Sequence, residues 1–192
     1  MRVPLELRRA YKLLNHGPTT LVTSAAHGRT NVMAAAWAMP IDFEPPKVAV
    51  VITEGTFTRE LVDASGEFTL CVPTRAQLDR VYAVGSASGL DEDKWASSGL
   101  RAAPASHVQA PLVEGCVGWL ECRVLPEPDA QRKYDLFIAE VVAAWVEDSV
   151  WKDGGWDFSA GEEYRPIHHL AGGVFFATGE RLQAHKPEGA KK

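Results

Sequence analysis

Thr56 and Thr58, in the stretch GTFTRE, are hydroxyls placed where a loop enters a helix, with Arg59 directly after them. Free backbone N–H groups, the positive end of the helix dipole and the two hydroxyls would together make a site for phosphate, and Arg59 would add charge. The same pattern also describes a plain capped helix, with Thr56 or Thr58 as N-cap and Gly66 as the stop. His168 and His169 are the next candidates. Adjacent residues on an extended segment point to opposite faces, so the pair cannot easily share a metal ion, even with Glu162 and Glu163 nearby. Structural or solvent-facing histidines are the simpler reading. The three cysteines, Cys71, Cys116 and Cys122, form no C-x-x-C pair. Six residues of extended chain would put Cys116 and Cys122 roughly 20 Å apart, beyond disulfide reach, so buried reduced thiols are expected. A catalytic Cys71 and His168 pairing would be invisible to spacing, because partners distant in the chain meet only in the fold.

The segment GRTNVMAAAW poses a different question. Ala34, Ala35 and Ala36 lie between Met33 and Trp37 in a β-rich stretch, where alanine is a poor strand former. Either the segment is a helix capped by Thr30 or Asn31, or something large lies against its backbone. The common glycine loops for nucleotides, G-x-x-x-x-G-K-[ST] and G-x-G-x-x-G after a strand, are absent, as is the G-x-S-x-G elbow.

The elements that must position these residues follow from pattern. A length of 192 residues fits one domain, and 46% hydrophobic with 23% charged residues fits a globular protein that buries its own core. A net charge of −5 offers no basic field, so nucleic acid is not expected as a partner. No apolar run reaches the roughly 20 residues that span a bilayer, and the charged start MRVPLELRRAYKLL is no signal peptide, so a cytoplasmic protein without membrane association is expected. Val3, Leu7, Ala10, Tyr11 and Leu14 share a stripe that predicts a helix within residues 1–17, stopped by NHGP. TTLVTSA predicts a strand, AHGR a turn and the alanine segment its hairpin partner. IDFEPP breaks the pattern before the buried strand KVAVVIT. A short helix, the strand EFTLCVP and a helix over RAQLDRVYAV follow, then the long polar connection GSASGLDEDKWASSGL. Two long strands, GCVGWLECRVL and YDLFIAEVVAAWVED, are joined by a turn rich in Pro and Asp. Aromatic-studded loop then leads to a last strand near Val174 to Ala177, with a disordered tail over 183–192. The fold class expected is mainly β, a barrel or sandwich with short helical insertions.

In chain order, TTLVTS, HGRTNVMAAAW, EPPKVAVVI, TFTRELVDASGEFTLCVP, SASGLDEDKW, APLVEGCVGWLECRV, FIAEVV and RPIHHLAGGVFF resemble the flavin reductase-like family of FMN-binding split barrels, flavoredoxin-type proteins included. The resemblance runs from about Pro18 to about Gly179 and implies a six-stranded Greek-key split barrel over 18–182 that forms a homodimer, with FMN near the interface. It implies that Asn31, Met33, Ala34, Ala35, Ala36 and Trp37 run along the isoalloxazine ring, with small side chains that admit the flavin to backbone groups. It also implies that Thr53, Thr56 and Thr58 belong to the cofactor site, the latter two at the phosphate end. Ser86 and Lys94 approach the cofactor, Lys94 as a cation for the phosphate or the reduced ring, and Cys71 stands where many relatives carry a flavin-bonding Asn. Trp95 and the loop of His168 would wall a reduced nicotinamide, NADH or NADPH, over the exposed ring. The activity implied is transfer of electrons from NAD(P)H through FMN to free flavin, a ferric chelate or a protein acceptor. The alternative is an FMN-binding electron-transfer protein without direct NAD(P)H activity, or a split barrel that has lost its flavin.

Overall fold

The computed structural model describes residues 1–185, so most of the tail expected over 183–192 lies outside the described residues. The chain builds one large antiparallel sheet around a barrel-like core. In order along the chain its strands are β1 (Arg2–Pro4), β2 (Thr20–Ala26), β3 (Arg29–Ala35), β4 (Ala38–Phe43), β5 (Pro46–Val51) and β6 (Glu67–Val72). Two short strands, β7 (Ala102–Ala103) and β8 (Leu112–Val113), pair with each other, and β9 (Gly118–Val124) and β10 (Leu136–Glu147) complete the sheet. The hairpins β11 (Trp151–Lys152) with β12 (Gly155–Trp156), and β13 (Ile167–Ala171) with β14 (Val174–Ala177), follow. The strand order is β3-β2-β6-β9-β10-β5-β4, with β1 added beside β10. The helices are α1 (Phe57–Ser65), α2 (Leu78–Ser86), α3 (Lys94–Ser98) and α4 (Pro128–Tyr134).

The alanine segment is therefore a strand. Its pairing with β2 runs from Thr20↔Ala35 to Ala26↔Arg29, leaving a two-residue turn of His27 and Gly28. Both turn residues have positive φ, 52° and 73°, which matches the right-handed twist of the flanking strands. Helix α1 is capped as its sequence predicts: Thr56 Oγ1 accepts from Arg59 N at 3.3 Å, and Gly66 closes the C-terminus at φ 68°. Inside the sheet Phe68, Leu70, Leu120, Cys122, Phe137 and Val141 form one core. On its outer face Leu21, Val32, Cys71, Val81, Val84 and Trp119 form a second, roofed by α2 and the β7–β8 region.

Three expectations are corrected. The N-terminal segment is not one helix: Arg2–Pro4 pairs with Trp145–Glu147, and Leu7–Leu13 is a 3₁₀ helix. Arg2 packs over the Trp119 and Trp145 rings, and Ala10, Leu13 and Leu14 enter the core, so this segment belongs to the barrel. IDFEPP does not break the sheet. It ends β4 and turns into β5, with Asp42 accepting from Phe43 N and from Lys47 Nζ. Pro40 sits beside a register shift, where a missing N–H is tolerated. The turn between the long strands is helix α4, with Pro128 in its first turn.

Candidate functional site

Strand β3 is an edge strand. Its partner is β2, and among the described residues no other strand pairs with its far side, whose N–H and C=O groups can bond something else. Three adjoining cavities lie along it. The first, about 350 Å³, is lined by Asn31, Met33, Ala34, Thr56, Thr58, the segment Val84 to Gly89, and Lys94. The second, about 530 Å³, is bordered by Met33 to Trp37, Val51, Thr53 and the turn of the β13–β14 hairpin from His169 to Gly172. The third is small, about 130 Å³, and lies between Ala34, Ala35 and Ala36, α2, and the rings of His169 and Phe175. Shared lining residues make the three one groove along β3.

The alanines are small for different reasons. A Cβ on Gly85 of α2 would lie 3.2 Å from Ala34 Cβ, so close helix–strand packing alone restricts residue 34. Ala35 is buried and packs into the barrel core. Ala36 is exposed and borders the second and third cavities, where a larger side chain would take up groove space.

At the other end of the groove, Asn31 and Thr58 are both buried and joined, Nδ2 donating to Thr58 Oγ1 at 2.9 Å. Thr56 Oγ1 donates to Thr53 O at 2.8 Å while it caps α1. Gly89 lets the loop after α2 close on this pair, since a Cβ there would lie 2.5 Å from Asn31 Oδ1. Lys94, only 4% exposed, is anchored at the start of α3 and reaches back to the C-terminal end of α2. Its Nζ donates to Val84 O at 2.7 Å and Ala87 O at 3.2 Å. Burial pushes its ammonium down to about 8, opposed by Glu92. Lys94 makes no ion pair among the described residues, so a buried positive charge borders the first cavity without an acidic partner. With the N-terminus of α1 beside it, that end of the groove has the chemistry of an anion site.

The fold brings Asn31, Met33, Ala34, Ala35, Ala36, Trp37, Thr53, Thr56, Thr58, Ser86 and Lys94 to one groove. It separates others. Cys71 is fully buried in the outer core, bordered by Thr69 Oγ1 at 3.4 Å, and lines none of the described cavities. All three cysteines are free, and burial holds the Cys116 and Cys122 thiols well above their ordinary range. His168 turns away from the groove: Nδ1 meets Gly17 O at 2.9 Å and Nε2 meets Thr178 Oγ1 at 3.0 Å. The groove receives His169 instead, whose ring lies 4.9 Å from Phe175. Alternation along the strand predicts that only one of the two faces any site; which one depends on the hairpin's docking. Arg59 also points elsewhere, to Asp63, Asp135 and the Phe137 ring. Trp95 lines a fourth cavity beyond Lys94, apart from the alanines.

A family model described as flavin reductase like domain matches residues 14–159, three quarters of the sequence. The chain belongs to this family. As a flavin reductase-like protein it is 44% identical over 185 residues to the uncharacterized protein YddH of Escherichia coli (strain K12), covering 95% of this chain and 97% of that one. Its fold matches the FMN-binding domain of a flavin reductases-like enzyme from Shewanella baltica OS155 with a TM-score of 0.94 and 45% identity, over 96% and 98% of the two chains. It matches the flavoredoxin of Desulfovibrio vulgaris (Miyazaki F) with a TM-score of 0.76 and 31% identity, over 88% and 90%. The flavin reductase-like split barrel is thus the architecture, and no helix among the described residues is long and apolar enough to cross a membrane.

Proposed function

We propose that this flavin reductase-like chain binds FMN in the groove beside β3 and works as an FMN-dependent oxidoreductase with NADH or NADPH as donor and free flavin, a ferric chelate or a protein as acceptor. The observation that carries the reading is a strand edge unpaired among the described residues, with an exposed Ala36 at one end of a groove and a buried Lys94 held by carbonyls rather than carboxylates at the other. Those two ends suit a flat apolar ring and a dianionic phosphate. Names agree: the Shewanella baltica neighbour is described as FMN-binding.

The chemistry FMN supplies when bound is acceptance of a hydride from reduced nicotinamide and delivery of electrons onward. The chain's own residues bind and orient. Thr58, the α1 N-terminus and Lys94 would hold the phosphate, Lys94 also pinning the segment Val84 to Gly89 through its two carbonyl contacts. The free edge of β3 would meet the polar edge of the ring, and Met33 and Thr53 would border it. His169 and Phe175 would face the donor or acceptor. Trp37, 75% exposed, follows β3 at the border of the second cavity, and β4 after it carries the outward row Met39, Ile41 and Phe43. We infer that a second copy covers this apolar face and closes the groove, the protein acting as a cytoplasmic homodimer.

Purified protein tests the reading. A yellow preparation, bleached by anaerobic NADH or NADPH, is the expected result. Colour without bleaching by either nicotinamide indicates an electron-transfer protein, and colourless protein that FMN cannot tint removes the cofactor.

A further inference from the structure

The groove does not end at Lys94. A fourth cavity of about 440 Å³ shares Asn31, Phe57, Gly89 and Lys94 with the first and extends outward past them, a size within the roughly 300–1,000 Å³ of small-molecule sites. We propose that this cavity is a subsite for the adenylate half of a dinucleotide whose ribose carries a free 2′,3′-diol. The inference rests on the cofactor reading above and extends it past the phosphate.

Its walls have the chemistry of a nucleoside site. The Arg29 guanidinium is held 4.0 Å over the Phe57 ring and presents a planar cation on which a purine stacks. Leu90, 55% exposed in an otherwise acidic loop, offers an apolar surface facing the same space. Trp95 adds an aromatic wall to the cavity. Asp93 is committed to α3, accepting from Trp95 N at 3.0 Å and Ala96 N at 3.3 Å. Asp91 and Glu92 have no such commitment among the described residues, and exposed carboxylates at a nucleoside site accept from ribose hydroxyls while repelling a 2′-phosphate. Lys94 stands at the junction, lining both cavities, where the linking phosphates must pass.

The adenylate has two possible sources, the far half of FAD or that of NADH. Titration of cofactor-free protein with AMP, adenosine 2′,5′-bisphosphate, FMN, FAD, NADH and NADPH separates them. AMP is expected to bind, and the bisphosphate at least about tenfold more weakly; Asp91→Asn/Glu92→Gln narrows that gap, and Trp95→Ala weakens AMP by about tenfold. If FAD is the source, the same variants raise the ratio of FAD to FMN dissociation constants; if NADH, they erode discrimination against NADPH and leave that ratio alone. The proposal is overturned if AMP does not bind, if the bisphosphate binds as well as AMP, or if neither dinucleotide responds to the surface variant Asp91→Asn/Glu92→Gln. FMN uptake without AMP binding sinks this subsite alone, whereas AMP binding without flavin uptake sinks the cofactor reading and leaves the subsite.

Discussion

Replacing Lys94 tests the anion end of the groove through pH. The ordinary lysine value is 10.5 and burial lowers Lys94 to about 8, a gap of roughly 3 kcal/mol against the charged form. A dianionic phosphate beside it would favour the ammonium and move that value back up. Below pH 8 the ammonium is charged with or without ligand, so the FMN dissociation constant is flat. Above pH 8 the free protein loses a proton that the complex keeps, and affinity falls. The dissociation constant at pH 9 is then about tenfold weaker than at pH 7. Lys94→Met removes a hydrogen bond to a charged group, weakening FMN at pH 7 by about 1.5–3 kcal/mol, and leaves the remaining affinity nearly independent of pH up to 9. The assay is quenching of FMN fluorescence on titration with cofactor-free protein at fixed ionic strength, with thermal melting to confirm that the variant folds. A native dissociation constant that stays level from pH 7 to 9, or a pH slope that survives in Lys94→Met, would refute the reasoning.

Thr58→Val is expected to weaken FMN by about 1–3 kcal/mol and to lower the melting temperature, because it also leaves the buried Nδ2 of Asn31 without its acceptor. Ala36→Ile should reduce flavin uptake with cooperative unfolding intact; Ala35→Ile is a poorer probe, since residue 35 packs into the core and the fold itself would suffer. His16, lowered to about 4 by burial and by His168, is neutral in the folded chain. As pH falls from 6.5 toward 4 the unfolded chain takes up a proton that the native state refuses, so stability drops by up to roughly 3 kcal/mol, and His16→Phe should flatten that limb in urea titrations. Phe43→Glu, on the outward face of β4, should give a folded monomer in light scattering; an unchanged dimer would place the interface elsewhere.

Local rules made much of this architecture legible. Hydrophobic pattern found β2, β3, β5, β6, β9 and β10, threonine and glycine marked both ends of α1, and His27-Gly28 set the first hairpin. What failed was decided by tertiary partners. Strand β4 looked broken because proline and aspartate are strand breakers in isolation, yet Pro40 falls at a register shift and Asp42 serves the turn. The N-terminal stripe looked helical because nothing in it announces the open edge of β10 that captures Arg2–Pro4. In the site, pattern alone left the alanine segment and the Thr56–Thr58 loop open between a structural and a binding role, and only the family resemblance singled out these stretches of β3 and α1. The misplacements were residues whose orientation depends on a distant element: His168 against Gly17, Cys71 beneath α2, Arg59 drawn to Asp135, and Trp95 on the far side of Lys94. Alternation says that neighbours differ in face; it does not say which face meets the cavity.

The central claim is that the free edge of β3 and the cavity at Lys94 together hold one FMN. Equilibrium titration of cofactor-free protein with FMN, read by absorbance and fluorescence, tests it most directly. One FMN bound per chain, lost on Ala36→Ile and weakened on Lys94→Met, is the predicted result. Absence of saturable FMN binding, or binding that both substitutions leave untouched, would contradict it.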